Sequence, residues 1–179
     1  YSMVKVPSGD NRGAKYRGVQ VSCSRSFDFR LVDEMRKWNV NIIRYELGPG
    51  KADISSSEKY LAWIDSVSDK LLNDLEALKD TGIKVAIDLH TGPGTAVTEE
   101  MSNVLAGTTN IDTLCKAWIL MAKKFKDNPQ IYGYDLLNEP RTSDYKVDGK
   151  ELSWIALAQK MTDAIRSVDE KTPVIVEIS

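Results

Sequence analysis

The chain has little of what metal and redox sites are built from: one histidine and two cysteines in 179 residues. His90, Cys23 and Cys115 lie far apart in sequence. Neither a zinc ligand set nor a disulfide framework follows from them, and the cysteines read as free thiols, one at a strand end and one inside a helix. No run approaches the roughly 18 consecutive apolar residues of a membrane span. The N-terminal stretch lacks a basic start followed by an apolar segment, so no signal peptide is visible. A net charge of −2 with no polybasic stripe offers nucleic acid nothing to hold. Internal repeats and low-complexity tracts are missing too. Residue 1 is Tyr rather than Met, which reads as a processed or cloned segment whose cellular address is hidden.

What is present is 42% hydrophobic and 28% charged sequence, the proportions of one soluble globular domain. Apolar runs rich in β-branched residues predict strands at 16–22, 40–45, 83–89, 131–137 and 173–178. Amphipathic stretches between them predict helices at 27–38, 57–81, 111–126 and 151–168. Ser57 reads as the N-cap of the second helix, Asn110 as that of the third, and Gly82 as a left-handed stop after the second. Leu61, Ile64, Val67, Leu71, Leu75 and Leu78 form a stripe that must lie on the sheet. Trp38, Trp63, Trp118 and Trp154 all fall in predicted helices, which assigns them to the helix–sheet core.

A β-α-β-α-β-α-β-α-β order predicts a parallel sheet with right-handed crossovers, and two architectures compete for it. A doubly wound five-stranded sheet would be complete at this length, whereas a (β/α)8 barrel needs about 250 residues. Against the first, "SCSRSFDFR" after strand one lacks the glycines that wrap phosphate. Polar residues also gather after several strands rather than at one switch point. Arg44 and Tyr45 end strand two, Asp88 and His90 end strand three, Asn138 and Glu139 end strand four, and Glu177 ends strand five. Converging on one rim, they would make the catalytic face of a barrel.

The segments "NIIRYEL", "VAIDLHTGPG" and "FKDNPQIYGYDLLNEP" resemble glycoside hydrolase family 5, cellulase-like retaining (β/α)8 glycosidases. The resemblance runs from about Tyr16 to Glu177, nearly all of this chain, and implies an α/β fold of which residues 1–179 carry the first five strands and four helices. The continuation, with the last three strands, is expected to be absent and needed for activity. The resemblance makes Glu139 the general acid/base and Asn138 the neighbour that bonds the sugar 2-hydroxyl. It makes Arg44 the cation that orients the nucleophile and His90 a subsite residue. Tyr45 and Tyr145, at or just beyond strand tips, become candidate sugar platforms. Such chemistry uses two carboxyl groups about 5–5.5 Å apart, one giving a proton and one attacking the anomeric carbon. It needs no metal and no cofactor.

The family's nucleophile belongs to a seventh strand beyond this sequence, and Glu177, on the fifth, reads as a subsite or structural residue. Gln20 stands in "RGVQVS" where the family has Asn. The resemblance implies a secreted protein that hydrolyses β-linked polysaccharide by double displacement, foremost an endo-β-1,4-glucanase. Its partner would be an oligo- or polysaccharide, with neither nucleic acid nor membrane involved. A carbohydrate-binding remnant of the same fold is the alternative. Cellulose, mannan, xylan and mixed-linkage glucan are left open as substrates.

Overall fold

The computed structural model describes residues 15–25, 27–93, 108–140, 146–147 and 150–177. Its main sheet contains β1 (Gly18–Ser22), β2 (Ile42–Glu46), β3 (Lys84–Asp88), β4 (Ile131–Asp135) and β7 (Val174–Ile175), hydrogen-bonded in that consecutive order. Every neighbouring pair is parallel. A doubly wound sheet reverses its strand order at a switch point; this one never does. Consecutive order with right-handed crossovers puts every connecting helix on one side, which is the arc of a (β/α)8 barrel.

The crossovers are α1 (Phe29–Lys37), α2 (Ser57–Ala77), α3 (Thr108–Phe125) and α4 (Trp154–Arg166). Between β4 and α4 lies a small antiparallel hairpin that the sequence reading lacks, β5 (Lys146–Val147) with β6 (Lys150–Glu151). Helix starts are fixed by side chains that satisfy orphan amides. Asp28 accepts from the amides of Arg30 and Leu31 at 3.0 and 2.9 Å. Ser153 accepts from that of Ala156 at 3.2 Å.

The N-cap of α2 is Ser56 rather than Ser57. The Ser57 hydroxyl is already committed to α3, where it accepts from Thr113 Oγ1 at 2.7 Å. Asn110 lies inside α3 instead of capping it, because that helix begins at Thr108. Gly82 does adopt a left-handed conformation, with φ +77°, but Asp80 at φ +62° turns first and the C-cap proper is Leu78.

The helix-facing side of the sheet is the core. Val21, Ile43, Tyr45, Val85, Ile87, Tyr134 and Leu136 pack there against Ile64, Leu71, Leu75, Trp118, Met121 and Leu157. Trp118 is fully buried and donates its indole N–H to the Leu136 carbonyl at 3.2 Å. Trp154 is buried too and Trp63 packs against the core edge. Trp38 does not: it is 71% exposed. It would share a face with buried Met35, but α1 has ended, and Asn39 at φ +56° turns the chain away toward β2.

The opposite side carries the alternate residues Gln20, Arg44, Glu46, Ala86, Asp88, Gly133 and Asp135. A register shift between Val85 and Ala86 leaves Tyr132 as an extra residue on β4, and its ring meets Tyr16 edge-on at 5.3 Å between centroids. Gly133 lets β7 approach β4 closely. A Cβ there would lie 3.0 Å from the Pro173 carbonyl oxygen and 3.3 Å from Ile175 Cδ1, so a larger residue would push these neighbours back by a few tenths of an ångström. No helix among the described residues is long and apolar enough to cross a membrane.

Candidate active site

Parallel register builds the site. Ser22, Glu46, Asp88 and Asp135 occupy one row across four strands, and Gln20, Arg44, Ala86 and Gly133 the row beneath. Because alternate residues share a face, the small Ala86 and Gly133 leave room in the lower row for the Arg44 side chain to reach upward.

That guanidinium is the hub. Its Nε donates to Asp135 Oδ2 at 2.8 Å. Nη1 serves Asn138 Oδ1 at 3.1 Å, Gln20 Oε1 at 3.3 Å and Asp88 Oδ2 at 3.1 Å. Nη2 also reaches Asn138 Oδ1, at 3.1 Å, and meets Glu177 Oε1 at 2.5 Å. The planar fork of arginine suits such multiple carboxylate contact, and a lysine could not reproduce it.

Around the hub a closed ring forms. Asp88 Oδ2 is 2.9 Å from His90 Nδ1, His90 Nε2 is 3.6 Å from Glu46 Oε1, and Glu46 Oε2 accepts from Gln20 Nε2 at 2.8 Å. Gln20 returns the chain to Arg44. This glutamine, which departs from the family pattern, thus supplies an acceptor for the cation and a donor for Glu46. The hydrogen bond from Asp88, with the charges of Asp88 and Glu46, raises the pKa of His90 against partial burial. Burial pushes Asp135 up to about 6, although Arg44 pulls it down. Among the described residues the second oxygens of Asp88 and Asp135 are buried without a hydrogen-bond partner, which is costly for a carboxylate.

At the end of β4, Asn138 is buried and donates its backbone N–H to the Leu89 carbonyl at 3.2 Å. Its side-chain oxygen is held by Arg44. Glu139 is exposed and adopts φ +43°. Its backbone N–H donates to Glu177 Oε2 at 2.8 Å.

Arg44, His90, Asn138 and Glu139 therefore stand on one rim, as the sequence arranges them. Tyr45 does not join them. It is fully buried on the helix side, where its hydroxyl donates to Asp74 Oδ2 at 2.7 Å, because residue 45 has the opposite strand parity from Arg44. Tyr145 lies outside the described residues. Asp135 and Glu46 are the members that sequence reading missed. The signal was there: "IYGYD" puts a carboxylate into a strand buried on both faces, and a buried acid requires a partner. Among the described residues no group of three or more His, Cys, Asp or Glu is placed to hold a metal ion.

Known proteins resemble this chain to different extents. Endoglucanase B of Acetivibrio thermocellus is 33% identical over 110 residues, covering 59% of this chain and 19% of its own length. An endoglucanase of Paenibacillus polymyxa is 26% identical over 165 residues, covering 86% and 40%. The solved endo-glycoceramidase II from Rhodococcus sp., in a complex with a cellobiose-like isofagomine, superposes with a TM-score of 0.66 at 19% identity. That match covers 90% of this chain and 48% of the solved one, and at such identity it speaks for the fold alone. The chain spans less than half the length of each. The family model described as cellulase, glycosyl hydrolase family 5, matches residues 10–179. All of the described residues fall within that match, and this chain belongs to the cellulase family, glycosyl hydrolase family 5.

Proposed function

We propose that this chain supplies the acid/base half of a retaining endo-β-1,4-glucanase, with a β-1,4-glucan as substrate, and forms the first five strands of its catalytic barrel. The observation that carries the reading is the placement of Glu139 at the tip of β4, beside an asparagine whose oxygen is locked by Arg44. Glu139 gives its proton to the glycosidic oxygen as the C1–O bond breaks. The attacking carboxylate comes from a later strand, and Glu139 then takes a proton from the water that releases the sugar. Asn138 Nδ2 donates to the 2-hydroxyl, a bond that strengthens toward the transition state. Arg44 keeps the surrounding carboxylates ionised, and His90 lines the cleft. The two similar endoglucanases support a β-linked glucose unit as the recognised sugar. We place the working protein outside the cell, where such polymers are found.

Glu139→Gln in the full-length protein tests the reading. Turnover of cellotetraose, a poor leaving group, should fall by roughly 10²–10⁴-fold, while an aryl β-cellobioside with an activated leaving group should be largely spared, since it needs little protonation. Equal loss on both would count against the acid role. Wild-type inactivity with retained oligosaccharide binding would favour a binding remnant.

A further inference from the structure

We propose that Glu177 is a positioning residue for Glu139, a bridge that fixes the backbone of the acid to the arginine hub; this rests on the reading of Glu139 as the acid/base. Both oxygens of Glu177 are spoken for. Oε1 meets Arg44 Nη2 at 2.5 Å, and Oε2 accepts the Glu139 backbone N–H at 2.8 Å. The Glu177 backbone is clamped from the other side, since its carbonyl accepts the Trp154 indole N–H at 2.8 Å. The residue is therefore held at three points, its backbone by α4 and its carboxylate by Arg44 and the tip of β4.

The need for such a bridge is visible in Glu139 itself. A φ of +43° lies in the region that residues with a Cβ avoid, and such a conformation persists only where the surroundings over-determine it. Pro140 follows and donates no amide, so the Glu139 N–H is the tip's last donor before residue 141. A charged acceptor on that donor is worth more than a neutral one. Docking of β7 delivers it. Leu136 N donates to the Ile175 carbonyl at 3.1 Å, Ile175 packs over Gly133, and Glu177, two residues on, points to the same face.

The geometry also distinguishes this role from that of a nucleophile. A retaining nucleophile presents a carboxylate oxygen to the anomeric carbon, whereas one oxygen of Glu177 is engaged by Arg44 and the other by the Glu139 backbone N–H.

The test compares wild type with Glu177→Gln in the full-length protein. The amide keeps size and one acceptor but turns an N–H₂ group toward either Arg44 or the Glu139 amide. Turnover of cellotetraose should fall roughly 10–100-fold, part of the general-acid factor, while turnover of an activated aryl cellobioside falls less than about threefold and KM stays within about twofold. Hydrogen exchange of the Glu139 amide should accelerate in the same variant. Trp154→Phe, which removes only the indole donor, should shift the leaving-group ratio the same way by a smaller factor. Equal losses on both substrates, or a fluorosugar adduct trapped on Glu177, would overturn the positioning role. If wild type turns over neither substrate, the glycosidase reading fails by itself, and unchanged Glu139 amide exchange in Glu177→Gln would separately overturn the bridge.

Discussion

Asp88 Oδ2 and His90 Nδ1 lie 2.9 Å apart at the end of β3, and that bond decides which imidazole nitrogen faces Glu46. A carboxylate has no proton to give, so Nδ1 carries the hydrogen and Nε2 is left toward Glu46. His90 is the only histidine in the chain, so its titration can be followed without assignment ambiguity.

Its midpoint should lie above the ordinary value of about 6.5 and should drop in Asp88→Asn, read from the imidazole Cε1 resonance. A folded pKa above the unfolded one adds stability that is complete below about pH 6.5 and disappears as pH rises through the folded midpoint. Wild type should therefore lose more stability than Asp88→Asn over that rise. An unmoved His90 midpoint would contradict the assignment.

For Asp135 the sign follows from the same linkage. Its folded pKa of about 6 exceeds the ordinary value of about 3.9. The folded state binds this proton more tightly, so the contribution is full below about pH 4 and is lost as pH rises through about 6. Asp135→Asn should flatten the stability profile across that window by roughly 2–3 kcal/mol, measured by urea unfolding at its two ends. Arg44→Ala is the harsher change. It strands Asp88 and Asp135 in a buried site and should cost about 3–5 kcal/mol.

Tyr45→Phe separates the two sides of the sheet. The lost hydroxyl bond to Asp74 should cost about 1 kcal/mol, softened because Lys70 Nζ still donates to Asp74 at 2.6 Å. Oligosaccharide affinity, measured by titration calorimetry, should not change. A tenfold weaker Kd would return Tyr45 to the cleft.

Much of this was legible in the residues. Strand–helix alternation, the rim placement of Arg44, His90, Asn138 and Glu139, and the burial of Trp118 and Trp154 all follow from periodicity and position. The arginine hub was not, because it depends on register. Asp135 faces Arg44 only since β2, β3 and β4 align as they do, with one extra residue at Tyr132. Tyr45 misled because a tip position says nothing about strand parity. The hairpin of β5 and β6 was missed for its brevity, although an Asp-Gly pair stands between its two strands, the usual hairpin signal. Ser57 lost the cap to Ser56 through a contact with α3 that no local pattern encodes.

Three of the partners of Arg44 come late in the chain: Asp135, Asn138 and Glu177 follow it by 91, 94 and 133 residues. At a synthesis rate of roughly 5–20 residues per second, the arginine is incorporated roughly 7–27 seconds before Glu177 is made. During that interval β1, β2 and β3 can pair, and α2 can cover them, with Gln20 and Asp88 as the partners of Arg44 already made. The corner where Arg44 meets Asn138 and Glu177 is thus the last part of this sheet to be assembled, and only after β7 has docked over Gly133. A nascent chain stalled before residue 173 would carry the asparagine and the acid, with nothing yet to hold the acid's backbone in place.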